Sequence, residues 1–293
     1  MKRPDDWTII KLLQWTTTYF KEHGIESPRI DAELLLAFAL GLTRIDLYLR
    51  HDQPLNQDEL TRFRALVKRR AAREPVAYIT GTKEFWELEM VVGPEVLIPR
   101  PETECVVEGI LEFLKTDNGP ETRRFLDLGT GSGAIALALA QSCPTAWVTA
   151  LDRSCRALAI ADRNRRRHNL QDRVHLVAGD WLAPFSGPNA RFDVIVSNPP
   201  YIPSDQIDGL QPEIALYEPR AALDGGPDGL ACLALIIKET PPWLLSGGAL
   251  FLEIGHDQYP AVQRLAAESG AYRDVACRPD YSGKDRVACL VRV

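Results

Sequence analysis

The run Arg124-Phe125-Leu126-Asp127-Leu128-Gly129-Thr130-Gly131-Ser132-Gly133-Ala134 reads as a short buried strand, a glycine-rich turn and the start of a helix. Glycines at such a turn let the backbone approach a ligand closely, and a helix N-terminus offers N–H groups with no partner inside the helix. Asp152 ends the next apolar segment, where a carboxylate commonly accepts ribose hydroxyls. Gly129, Gly131 and Ala134 formally satisfy the dinucleotide fingerprint.

Outward from this turn, helical and strand patterns alternate. Helix 102–115 precedes strand 124–128, helix 132–141 precedes strand 146–151, and helix 154–168 precedes strand 173–178. Strand 192–197 follows, then helix 229–245, strand 248–254, helix 258–269 and two closing strands near 272–277 and 286–292. This alternation predicts an α/β domain over 101–293 with a doubly wound, mostly parallel sheet. The two adjacent closing strands predict an antiparallel edge hairpin.

Toward the N-terminus the character changes. Val76-Ala77-Tyr78-Ile79 and Phe85 to Val92 have strand-like composition, split by Thr80-Gly81-Thr82, which predicts a β-hairpin linker over 74–100. Pro94, Pro99 and Pro101 hold the chain after it extended. Residues 1–73 read as a small helical domain. Gly41 breaks one helical stripe, Asn56 is a candidate N-cap, and Lys68-Arg69-Arg70 suit a helix C-terminus.

The extra Gly133 makes the turn Gly-x-Gly-x-Gly, which resembles the first motif of Rossmann-like methyltransferases, and the chain carries no obvious nicotinamide site. Asp180 and Trp181 end the third strand, at the sheet edge that the first two loops share. A carboxylate there suits an adenine amino group, and an indole suits the ring.

Ser197-Asn198-Pro199-Pro200-Tyr201 follows a nearly pure apolar strand. Consecutive prolines lack N–H donors and leave carbonyl acceptors, and Asn198 adds a side-chain oxygen. Two acceptors aimed at one spot suit a neutral NH₂ group, and Tyr201 offers a flat face to a planar amide or base. An amide nitrogen is a weak nucleophile, so holding both of its hydrogens favours catalysis by orientation.

Composition narrows the classes. The chain has 293 residues, 45% hydrophobic and 25% charged, with a formal net charge of −6. That balance argues against a protein whose main task is to grip nucleic acid. The cluster Arg163, Arg165, Arg166, Arg167 has Asp162 beside it and reads as a solvated helix face. No signal-peptide segment and no run of about 18 apolar residues is present, which predicts a cytoplasmic protein without a membrane span. The six cysteines and five histidines are scattered, which predicts reduced thiols and no metal site.

The combination of Ile98-Pro99-Arg100-Pro101-Glu102-Thr103-Glu104, Asp127 to Gly133 and Asn198-Pro199-Pro200-Tyr201 resembles the PrmC/HemK family, glutamine methyltransferases acting on class 1 peptide chain release factors. Glu218-Pro219-Arg220, Asp224 to Leu230, Glu253-Ile254-Gly255 and Asp285-Arg286-Val287 extend the resemblance over essentially the whole chain.

The resemblance implies a Rossmann-like class I methyltransferase with a seven-stranded, mostly parallel sheet behind a helical domain. It implies S-adenosyl-L-methionine as cofactor, with Gly129, Thr130, Gly131, Ser132 and Gly133 at its methionine end, Asp152 at its ribose, and Asp180 and Trp181 on its adenine side. Asn198 would serve both cofactor and substrate, Pro199, Pro200 and Tyr201 would complete the substrate site, and Arg100 would shape its mouth. One departure is Glu87, where members often carry a small residue. The expected partner is a class 1 release factor, docked by residues 1–73, with no stable nucleic-acid binding. Alternatives are an adenine N6 methyltransferase of nucleic acid, a ribosomal-protein glutamine methyltransferase and a non-catalytic cofactor-binding protein.

Overall fold

The computed structural model describes residues 7–116, 122–186 and 191–293; the first six residues of the expected helical region lie outside these. The chain opens with α1 (Ile9–Glu22), α2 (Pro28–Leu40), α3 (Arg44–Leu49), α4 (Gln57–Ala71) and α5 (Val76–Thr80). Local chemistry marks several of the boundaries. Pro28 starts α2, and Gly41 ends it in the left-handed conformation at φ 64°. Reciprocal capping boxes start α3 (Thr43 with Asp46) and α4 (Asn56 with Glu59).

Residues 76–79, expected to be extended, are helical instead. The five residues of α5 follow Pro75, which supplies a fixed φ at the helix entry, and Gly81 closes them at φ 79°. The hairpin therefore lies further on, as β1 (Thr82–Phe85) and β2 (Leu88–Val91). Its turn is Trp86-Glu87 rather than Thr80-Gly81-Thr82, with φ of 51° and 61°. Both positive values match the twist that a two-residue hairpin loop needs.

Next come α6 (Glu104–Thr116), β3 (Arg124–Leu128), α7 (Ala134–Ser142), β4 (Trp147–Asp152), α8 (Cys155–Arg167), β5 (Val174–Ala178) and β6 (Phe192–Ser197). The chain ends with α9 (Pro212–Tyr217), α10 (Ala231–Glu239), β7 (Leu244–Glu253), α11 (Tyr259–Ser269), β8 (Tyr272–Pro279) and β9 (Asp285–Arg292). The short α3 and α9 were not anticipated, and α10 stops before Pro241-Pro242 rather than running to 245. No helix among the described residues is long and apolar enough to cross a membrane.

The seven strands form one sheet in the order β5-β4-β3-β6-β7-β9-β8. Its first five strands are parallel, and β9 pairs antiparallel with both β7 and β8. Every residue of β6 is buried, as expected of a parallel strand covered on both faces. The chain steps from β3 out to β5 and returns to β6 on the other side of β3. That reversal opens a crevice at the carboxyl ends of β3, β4 and β6.

The chain divides into two compact units. One comprises residues 1–81 together with 211–217, and the other comprises 82–210 and 218–293. The first is built on Leu12, Phe20, Leu35, Leu36, Leu47 and Phe63, all buried. Within it, the buried Arg70 guanidinium reaches Asp31 and Glu213, each at 2.7 Å, and Arg73 reaches the other Glu213 oxygen at 2.7 Å. Burial of a charge is tolerated only when it is matched in this way.

Candidate active site

Three loops meet at the carboxyl end of the sheet around a cavity of about 290 Å³. The loop after β3 contributes Gly129, Thr130, Gly131 and Ser132, and the end of β4 contributes Asp152. Asp180 and Trp181 come from the loop after β5, and Asn198 and Pro200 from the loop after β6. Arg100 and Thr103 line it from the segment before α6. Of the residues expected at the site, Gly133, Pro199 and Tyr201 do not line the cavity. Gly133 caps α7 at φ 85°, where a Cβ would meet Ala161 at 3.4 Å.

The glycine turn is open by construction. Gly129 and Gly131 have φ of 73° and 56°, and a Cβ on either would meet no atom of the described residues within 4 Å. Side chains rarely adopt those angles, so the space beside the turn stays free. Asp152 fixes the turn to the next strand: its Oδ2 accepts from Gly131 N at 2.9 Å and its Oδ1 from Ser154 N at 2.8 Å. Trp181 is held at φ 45° and packs against the core that contains Leu182 and Leu233. Asp180 is exposed.

Asp127 was quoted in the sequence only as part of the motif, yet it is the most unusual group here. It is 1% exposed on β3. Its Oδ2 accepts from Thr130 Oγ1 at 2.6 Å, while Oδ1 has no partner among the described residues. Burial pushes its carboxyl up to about 7. A buried carboxylate oxygen left unpaired on a cavity wall suits a cationic ligand group. The signal for it was an acidic residue inside an otherwise apolar strand.

A second buried acid lies on the acceptor side. Glu253, at the end of β7, is 2% exposed, and burial holds its carboxyl above the usual range. It accepts from Thr103 Oγ1 at 2.6 Å and from Tyr201 OH at 3.1 Å. Asn198 Nδ2 in turn donates to Thr103 Oγ1 at 3.2 Å. Arg100 lies at the cavity and also pairs at 2.5 Å with Glu218, which is buried and accepts from Ile98 N.

Asn164 was hidden in a run of arginines. It is fully buried and joins the hairpin to the glycine turn, donating to Val91 O and Ser132 O and accepting from Val91 N. Its neighbours Arg165 and Arg166 both pair with Asp162.

Comparison with known proteins agrees with this architecture. The PrmC N-terminal domain profile matches residues 11–81, and the methyltransferase small domain profile matches residues 108–213. A methyltransferase of Pyrococcus furiosus superposes with a TM-score of 0.51 at 21% identity, covering 78% of this chain and 96% of that one, a likeness of fold. Release factor glutamine methyltransferase of Geobacter sulfurreducens is 46% identical over 98% of this chain and 97% of its own length. The enzyme of the same name from Moorella thermoacetica is 47% identical over 90% of this chain and 91% of its own. Identity at that level over nine-tenths or more of both chains makes this chain a member of the release factor glutamine methyltransferase family.

Proposed function

We propose that this chain moves a methyl group from S-adenosyl-L-methionine to the side-chain amide nitrogen of the glutamine in the Gly-Gly-Gln motif of class 1 release factors. The observation that carries the proposal is Asn198 on the wall of the same cavity as the glycine turn and Asp152. The names of the relatives support the choice of substrate.

The residues present fit this cofactor. Asp127 Oδ1, buried and unpaired, would take the ammonium of the methionine end beside Gly129, Thr130, Gly131 and Ser132. Asp152 would take the ribose hydroxyls, and Asp180 and Trp181 the adenine. When bound, the cofactor supplies an electrophilic methyl group. The chain's own residues orient the acceptor: the Asn198 side-chain oxygen would take one amide hydrogen and a carbonyl of the Pro199-Pro200 pair the other. Fixing the nitrogen in line supplies the catalysis by orientation, and the surplus proton passes to solvent after transfer. Two glycines before the glutamine let the substrate loop extend into a narrow cavity.

The helical unit is the docking surface for the release factor. Ile30, Leu34 and Phe38 lie along α2 at helical spacing, and Ile45 and Leu49 lie on α3, all with at least 37% of their surface exposed. Such apolar exposure on a folded unit marks an interaction surface.

The test is to incubate enzyme, labelled cofactor and a release factor, and to map the label by peptide mass spectrometry. Label belongs on the glutamine and disappears when that residue is glutamate, whose carboxylate offers no donor. Label on DNA adenine or on a ribosomal protein instead would overturn the assignment.

A further inference from the structure

We infer that Glu253 is a positioning residue that sets the direction of a hydrogen-bond relay, and that through Thr103 it fixes which end of the Asn198 amide faces the cavity. The inference rests on the reading above, in which the Asn198 oxygen accepts from the substrate NH₂.

Burial opposes ionisation of Glu253, while the hydroxyls of Thr103 and Tyr201 and the Arg286 cation favour it; in the ionised form the carboxylate only accepts. Thr103 has a single hydroxyl proton, and its 2.6 Å bond to Glu253 Oε2 uses it. The Thr103 oxygen can then only accept from its other neighbour, Asn198, 3.2 Å away. Asn198 must therefore turn its NH₂ toward Thr103, which leaves its oxygen for the cavity. The other end of the relay is held in the same sense. Arg286 approaches the Tyr201 hydroxyl at 3.5 Å and donates to Ile254 O at 3.1 Å, while Asp280 holds the guanidinium at 3.2 Å. With a cation beside its oxygen, Tyr201 directs its proton to Glu253 Oε1, 3.1 Å away. Both carboxylate oxygens thus receive a hydroxyl proton, and neither is free to reverse the chain.

Thr103 and Glu253 are 4% and 2% exposed, so bulk water does not supply an alternative partner. A buried carboxylate is expensive to keep, and packing alone would be served by a neutral residue. What a carboxylate adds is polarity of the relay: a site that accepts from a neutral NH₂ and refuses a carboxylate or carbonyl. Glu253→Gln keeps the shape and destroys the direction. Its amide offers an NH₂ to either Thr103 or Tyr201. Facing Thr103, it frees the hydroxyl proton to bond the Asn198 oxygen and turns the Asn198 NH₂ outward.

The experiment compares Glu253→Gln, Thr103→Val and Thr103→Ser with the wild-type chain and with Asn198→Ala, using a release factor as substrate. Expected are a 10- to 100-fold fall in kcat for Glu253→Gln and Thr103→Val, cofactor KM within about threefold, and recovery in Thr103→Ser, which restores the hydroxyl; these are order-of-magnitude values for one misdirected buried hydrogen bond. A purely structural role would lower the thermal midpoint and cofactor affinity together and would not distinguish serine from valine. If Asn198→Ala is inactive while Glu253→Gln and Thr103→Val keep wild-type kcat, the relay is wrong and the functional reading stands. If Asn198→Ala keeps wild-type activity, the functional reading itself fails.

Discussion

Gly131 N donates to Asp152 Oδ2 at 2.9 Å, so the turn after β3 and the end of β4 form a single rigid frame. Asp152→Ala removes the expected ribose acceptor and also releases the N–H groups of Gly131 and Ser154. Cofactor affinity should fall by about 1.5–3 kcal/mol, the range for a charge-assisted hydrogen bond. Calorimetry that finds the affinity unchanged removes Asp152 from the ribose site.

The buried carboxyl of Asp127, raised to about 7 by desolvation with Asp152 adding to it, gives cofactor binding a pH dependence. Below that value the group is protonated and cannot pair with an ammonium. Above it the group is charged. Affinity should therefore rise with pH through about 7 and level off beyond, and Asp127→Asn should flatten the profile. The same shift makes the unliganded protein lose stability as pH rises from near the ordinary carboxylate value through about 7, because the folded state holds a proton that the unfolded state has released. A flat wild-type binding profile between about pH 6 and 8 would rule out Asp127 as the ammonium partner.

Glu87 occupies a left-handed position, φ 61°, in the hairpin turn. That conformation costs a side-chain-bearing residue roughly 1–2 kcal/mol, against about 0.5–1 kcal/mol for the greater chain entropy of glycine. Glu87→Gly should stabilise the protein by about 0.5–1 kcal/mol in urea unfolding. Trp86, at φ 51°, is held by its indole N–H to Ser142 and its backbone N–H to Glu104, so the turn is kept by its neighbours. A loss of stability in this variant would contradict the left-handed turn.

Phe38 is 50% exposed on α2, four positions beyond the exposed Leu34. If this face docks the release factor, Leu34→Asp and Phe38→Ser should each raise KM for the intact factor about tenfold or more, a loss typical of an interface anchor. Methylation of a short peptide carrying the Gly-Gly-Gln loop should stay unchanged. Equal effects on peptide and intact factor would place the docking surface elsewhere.

The order of elements and the cavity's main walls were legible because they rest on local patterns. The glycine turn, the acid ending β4 and the Asn198 loop each announce themselves within a few residues. What stayed hidden depends on distance along the chain. Thr103, Asn198 and Glu253 meet only because β6 and β7 lie side by side and the turn before α6 reaches their carboxyl ends. Asn164 looked like one member of a charged helix until the hairpin strand and Ser132 were brought to it. Val76 to Ile79 failed for the opposite reason: β-branched and aromatic residues read as a strand, but Pro75 and Gly81 bracket them as a short helix.

The segment 211–217 counts with the helical unit, although the chain reaches it only after the Asn198 loop. A gene fragment cut at residue 81 is therefore not a module. It leaves Glu213 behind without Arg70 and Arg73, and leaves the buried Arg70 with one carboxylate in place of two. Circular permutation or domain exchange has to carry both pieces, since the polypeptide is threaded through the helical unit twice. The helical unit thus matures in two instalments during synthesis. Its last piece leaves the ribosome only after the acceptor loop has been made, so no nascent chain completes the helical unit before it holds Asn198.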